Sequence, residues 1–218
     1  QATAAAIGGL PQVVLNFDRD LPANLTGTWV YSTDASWRGD NLIMERNAVE
    51  QQASFRGISV WGLMNATLRG NYVHRSSATG IHIVHQLRVG DWIVPPVVNL
   101  TVTNNVIDGT NTAGGENDNL TLAGIESLAT TDTSTVMSLS PDQNLTLTSN
   151  FIANPGRSAL WIGNVATALV DANYLFNPND NPYALVLGHP PTSTAAQAQQ
   201  PLVVQTSQSV TLGNNPID

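Results

Sequence analysis

Residues 99–105 read NLTVTNN, and residues 144–150 read NLTLTSN. Looser copies of the phrase are NLIMERN at 41–47, NATLRGN at 65–71, TALVDAN at 167–173 and SVTLGNN at 209–215. Every copy ends in Asn: Asn47, Asn71, Asn105, Asn150, Asn173 and Asn215. The second and fourth letters are apolar or small, as in Leu42 and Met44, Leu100 and Val102, or Leu145 and Leu147. That is period two, the mark of a short strand with one face turned inward. Two residues past each Asn stands another aliphatic: Val49, Val73, Ile107, Ile152, Leu175 and Ile217.

A second phrase follows the first. It reads RGISVWG (56–62), TGIHIVH (79–85), AGIESLA (123–129), SALWIGN (158–164) and YALVLGH (183–189). Its type is a small residue, an aliphatic, a variable residue and usually another aliphatic. The Asn positions are separated by 24, 34, 45, 23 and 42 residues, a short unit with insertions in some turns. Periods in this range belong to solenoids.

Short strands with one Asn at each bend predict an all-β chain: a right-handed parallel β-helix of about six coils, with an Asn ladder and inserted loops. Coils would stack at the inter-strand spacing of about 4.8 Å. Inward aliphatics would then form columns, and each bend Asn could bond its carboxamide to the next. Asn also tolerates the left-handed backbone of a tight bend, so the ladder Asn is expected to adopt it. In these features the chain resembles the pectin-lyase-like right-handed β-helix superfamily, over roughly residues 40–218. The resemblance implies the fold. It implies no single activity, because that superfamily includes lyases, hydrolases, epimerases, phage spikes and adhesins.

Residues 1–39 repeat less clearly and read as a degenerate N-terminal coil. Residues 40–218 form the β-helix. Its last coil is incomplete, and 192–200 (TSTAAQAQQ) reads as a flexible excursion. The opening QATAAAIGG, without Met, reads as a processed start. The unfinished last coil points to the remainder of a longer parent chain, or to another subunit covering the open end.

Composition narrows the partners. The 218 residues are 42% hydrophobic but only 11% charged, and the net charge is -8. All eight cations are Arg. An acidic, Lys-free surface offers no footprint for nucleic acid and disfavours polyanionic sugars. The absence of Cys excludes a disulfide framework and a thiolate site. No apolar run approaches the ~18 residues of a membrane span. No phosphate loop, nucleophile elbow or dinucleotide fingerprint is present, so no cofactor is expected.

Chemistry is expected on the variable letter of the second phrase, which alternation turns outward: Ser59, His82, Glu126, Trp161 and Val186. Flanking outward positions hold Arg56, Thr79, Ala123, Ser158 and Tyr183 on one side, and His85, Asn164 and His189 on the other. Imidazole, carboxylate and indole on one sheet face are the groups that hold sugars. Glu126 and His82 are the catalytic candidates. Substrate contacts would come from Trp161, His85, Arg56, Arg157, Ser59 and Trp92. A glycosidase needs a second carboxyl, for which Asp91, Glu116, Asp118 and Asp132 on insertions are available. His85 and His189 have no third ligand at a diagnostic spacing, so no metal is expected. A lyase is less favoured, because Lys and an acidic cation cluster are both missing.

Five sequons, at Asn24, Asn65, Asn99, Asn119 and Asn144, are candidates for glycosylation. Three of them coincide with the repeat, which itself demands Asn first and an outward Thr third. The sequence therefore predicts an extracellular, carbohydrate-binding or carbohydrate-active β-helix, with hydrolysis of a neutral glycan as the enzymatic form. The alternative is a non-catalytic structural or adhesive module of a larger surface assembly.

Overall fold

The structure, a computed structural model, describes residues 40–50, 56–86, 96–111, 123–130, 141–178, 200–205 and 207–218. All of these lie in the unit Tyr31–Asp218. They contain strands and no helix. The chain is a parallel β-helix, each coil contributing one strand to each of three sheets.

The first coil is β1 (Ile43–Glu45), β2 (Ala48–Glu50) and β3 (Ile58–Trp61). The second is β4 (Met64–Arg69), β5 (Tyr72–His74) and β6 (Ile81–Gln86). The third is β7 (Val98–Thr103), β8 (Val106–Asp108) and β9 (Ala123–Thr130). The fourth is β10 (Gln143–Thr148), β11 (Phe151–Ala153) and β12 (Ser158–Gly163). The fifth is β13 (Thr167–Asp171), β14 (Tyr174–Phe176) and β15 (Leu202–Gln205), and β16 (Ser209–Leu212) opens the sixth. Sheet A runs β1-β4-β7-β10-β13-β16, sheet B β2-β5-β8-β11-β14 and sheet C β3-β6-β9-β12-β15. All pairings are parallel, and Ile217 bridges to Leu175 to begin a sixth rung of sheet B.

Register follows the repeated letters. Leu100 pairs with Leu145, and Val102 with Leu147. These side chains and their counterparts Leu68, Val73, Ile107, Ile152, Val170 and Leu175 are sealed in one continuous core. Burial of each such side chain contributes about 1.5–3 kcal/mol. At the ends the columns open: Leu42, Met44 and Val210 are half-buried, while Leu212 and Ile217 are exposed.

The six Asn residues form the expected ladder. Asn47 Nδ2 donates to Asn71 Oδ1, Asn71 to Asn105, Asn105 to Asn150, Asn150 to Asn173 and Asn173 to Asn215, each at 2.9 Å. Each accepting oxygen also takes the backbone N–H of the preceding rung. The second Nδ2 hydrogen goes to a strand carbonyl one coil earlier, as from Asn105 to Leu68 and from Asn150 to Val102. Oδ1 thus accepts twice and Nδ2 donates at least twice, which fills the capacity of a carboxamide. That is what lets Asn71, Asn105, Asn150 and Asn173 sit fully buried.

One expectation needs correction. The ladder Asn residues are not left-handed; at the first five rungs the residue before the Asn bears the positive φ, at Arg46, Gly70, Asn104, Ser149 and Ala172. The bend sends its strain to a position of varied type, leaving the Asn free to point inward and bond. A second correction concerns the fifth coil. The strand that follows β12 in sheet C is β15, with Leu160 opposite Leu202 and Trp161 opposite Val203. The rung expected for Val186 therefore belongs to Val203. Residues 1–39, 183–189 and 192–199 lie outside the described residues.

The small letter of the second phrase has a steric cause. A Cβ on Gly80 would lie 2.6 Å from Ile107 Cγ2 and 2.8 Å from the Gly124 carbonyl oxygen. On Gly124 it would lie 2.6 Å from Ile152 Cγ2. At Gly57, Gly80 and Gly124 the aliphatic column of sheet B passes over the start of the sheet C strand so closely that only a hydrogen fits.

Three substitutions test these contributions to stability. Asn105→Ala leaves the N–H and Nδ2 of Asn71 without their acceptor inside the core, and should cost about 3 kcal/mol or more. In a chain of this size that lowers Tm by roughly 6–12 °C. Asn47→Ala, at an exposed end rung, should cost well under half as much in the same thermal scan. Gly80→Ala should cost about 1–3 kcal/mol through overpacking, measured by urea denaturation.

Candidate functional site

The variable letters of sheet C come together as neighbours. Ser59 pairs with His82, His82 with Glu126, Glu126 with Trp161 and Trp161 with Val203. Their alternation partners Ile58, Ile81, Ile83, Ile125, Leu160 and Ile162 enter the core. The column therefore stands on the outer face of the sheet. Trp161 packs there with Ala123 and Val203, in a cluster separate from the main core.

That outer face is not an open groove. His82 is 1% exposed, and Glu126 and Trp161 are 0% exposed. Thr79 and Ser158, in the flanking column, are also buried. An indole held this way adds buried area and offers no stacking face to a sugar.

The charges inside this closed layer are arranged across three coils. Glu126 Oε2 accepts the Ala123 N–H at 3.3 Å, folding the carboxylate back on its own strand. Glu126 Oε1 lies 3.1 Å from His82 Nε2. The distance alone would fit an ion pair. Yet Nε2 lacks hydrogen-bond alignment, and the imidazole is driven toward its neutral form. Burial pushes the His82 pKa well below the ordinary value, and the Arg56 guanidinium lowers it further. Arg56 is itself lowered by burial, against an opposing pull from the Glu126 carboxylate. Arg56 and Glu126 thus attract each other, while burial favours the neutral form of His82.

The remaining sequence candidates are more dispersed. Ser59 is partly exposed, and Arg56 and Arg157 are partly exposed and engaged with other groups. The backbone of His85 pairs with Ala129 in β9; its side chain lies outside the described residues, as do Trp92, His189, Asp91, Glu116, Asp118 and Asp132. Asn65, Asn99 and Asn144 are exposed and hydrogen-bonded to one another. Asn24 and Asn119 lie outside the described residues. Among the described residues no three His, Asp or Glu side chains are grouped as metal ligands, and no helix is long and apolar enough to cross a membrane.

Two features escaped the sequence reading. The letter immediately after the first five ladder Asn residues forms an outward column on sheet B: Ala48, Tyr72, Val106, Phe151 and Tyr174. Phe151 and Tyr174 stack with centroids 5.5 Å apart and planes 11° from parallel. The shared letter position was the available signal. Because these two rings cover each other's faces, they stabilise the stack more than they offer a platform. The other feature is Asp142, buried at the entry to β10. It accepts the Val97 N–H at 2.7 Å and the Ser127 hydroxyl at 3.1 Å, clipping the third coil to the fourth. Nothing in its sequence context marks it, since its partners are 45 and 15 residues away.

The buried imidazole makes stability depend on pH. The folded pKa of His82 is depressed below the unfolded value of about 6.5. The unfolded chain therefore binds the proton first as pH falls. Stability should be at its full value above that pH and decline below it, with a slope approaching about 1.4 kcal/mol per pH unit. Urea midpoints from pH 7.5 to 5 should show this slope in the wild type and a reduced one in His82→Phe.

In comparisons with known proteins, no family model, no curated protein and no solved structure matches the chain.

Proposed function

We propose that this chain is a non-catalytic structural or adhesive module of an extracellular surface assembly, built on a pectin-lyase-like β-helix. One observation carries the reading: the described acid–base cluster, His82 and Glu126, is sealed from solvent, with Arg56 acting on both. Catalysis needs a carboxyl that can reach a glycosidic oxygen and exchange a proton with it. Glu126 is instead bound to its own backbone and to the layer around it. The surface is Asn- and Thr-rich and weakly charged, which suits a durable scaffold.

The second reading is a carbohydrate-binding or carbohydrate-active protein taking a neutral glycan. It is favoured by the adjacency of His82 and Glu126 on neighbouring rungs at 3.1 Å. It requires the outer layer of sheet C to open when a glycan binds.

A hydrolysis screen on neutral polysaccharides, run beside a glycan array, separates the two. The module reading expects no hydrolysis above background, and no difference between wild type and Glu126→Gln. Hydrolysis by the wild type that Glu126→Gln abolishes, with the fold intact, would overturn it in favour of the enzyme.

A further inference from the structure

The three sequons of the repeat stand in a single column at the start of sheet A. Asn65 Nδ2 donates to Asp40 Oδ1 at 2.7 Å, Asn99 Nδ2 to Asn65 Oδ1 at 2.7 Å, and Asn144 Nδ2 to Asn99 Oδ1 at 2.8 Å. Thr167 closes the row. Its hydroxyl donates to Asn144 Oδ1 at 2.7 Å and accepts the Asn144 N–H at 2.9 Å. This is a second ladder, on the solvent side. Its donors all point toward the preceding coil, whereas those of the inner ladder point toward the following one.

We infer that Asn65, Asn99 and Asn144 are rungs of this exterior ladder and are closed to N-linked glycosylation in the folded protein. The atom that a glycan would take is Nδ2, and in all three residues Nδ2 is the donor that makes the rung. All three backbones are left-handed, with φ of 51°, 56° and 54°. That conformation fixes the side chain along the column rather than away from it. Rungs are separated by the inter-strand distance of about 4.8 Å. A sugar held at that spacing crowds the side chains of the adjoining rungs: Asp40 and Asn99 beside Asn65, Asn65 and Asn144 beside Asn99, and Asn99 and Thr167 beside Asn144. Asn is selected at this place for its left-handed tolerance and its paired donor and acceptor. The Thr two residues later belongs to the outward face of the strand. The sequon is thus a by-product of two structural choices. This holds whether or not the native chain passes through a glycosylating compartment.

The test is secretion of the whole chain from a eukaryotic host, with peptide mapping of the soluble, folded fraction and thermal melts of two variants. Asn99→Asp keeps the left-handed backbone and the acceptor oxygen but removes the donor. Thr101→Val destroys the sequon and leaves the rung. The expected result is no glycan at Asn65, Asn99 or Asn144, whatever Asn24 and Asn119 carry. Asn99→Asp should lose roughly 2–4 °C in Tm, while Thr101→Val stays near wild type in mass and Tm. A glycan on any of the three in the folded fraction, or an unchanged Tm in Asn99→Asp, would overturn the inference.

Discussion

The fold depends on the hydrogen bond from one Asn carboxamide to the next. A parallel β-helix stacks its coils at one fixed spacing, and each bend must bury polar backbone while turning sharply. The inner ladder meets both demands. Each interior Asn accepts from the N–H and Nδ2 of the preceding rung, and donates to the following rung and to a strand carbonyl one coil earlier. A buried carboxamide left half-satisfied would destabilise the core. The same group fully satisfied fixes the register of every strand that follows it. Insertions between rungs, from 23 to 45 residues in total spacing, therefore leave the ladder bond at 2.9 Å.

Once register is fixed, the rest of the cross-section follows. Inward aliphatics on sheets A and B meet their counterparts one strand spacing away, and the Gly57, Gly80 and Gly124 column exists because sheet B's side chains pass over it. The outer ladder adds a solvent-facing counterpart of opposite sense. Both ladders use Asn for its paired donor and acceptor, but different geometry selects it. Inside, the Asn is fully hydrogen-bonded and follows a left-handed residue. Outside, the Asn is itself left-handed.

The candidate site shows how position and environment diverge. Alternation brought His82, Glu126 and Trp161 to one face, as neighbours on successive rungs. It did not decide whether that face would meet water. In the folded chain His82, Glu126 and Trp161 are buried. Burial favours the neutral imidazole, the Glu126 carboxylate and the Arg56 guanidinium attract each other, and the indole packs with Ala123 and Val203.

The sequence alone determined the coil. Period-two letters, the recurring Asn and the small second letter of the second phrase are local patterns, and stacking turns local patterns into columns without further information. It also determined which residues share a rung, except in the fifth coil, where a long insertion hid Leu202–Gln205 behind a better-looking phrase. Tertiary structure alone decided what is covered. Exposure of an outward column, the pairing of Asp142 with Val97 and Ser127, and the hydrogen bonds among Asn65, Asn99 and Asn144 all depend on groups distant in sequence. Their energies come from desolvation and from hydrogen bonds that close only when the coils stack. No one-dimensional spacing encodes them.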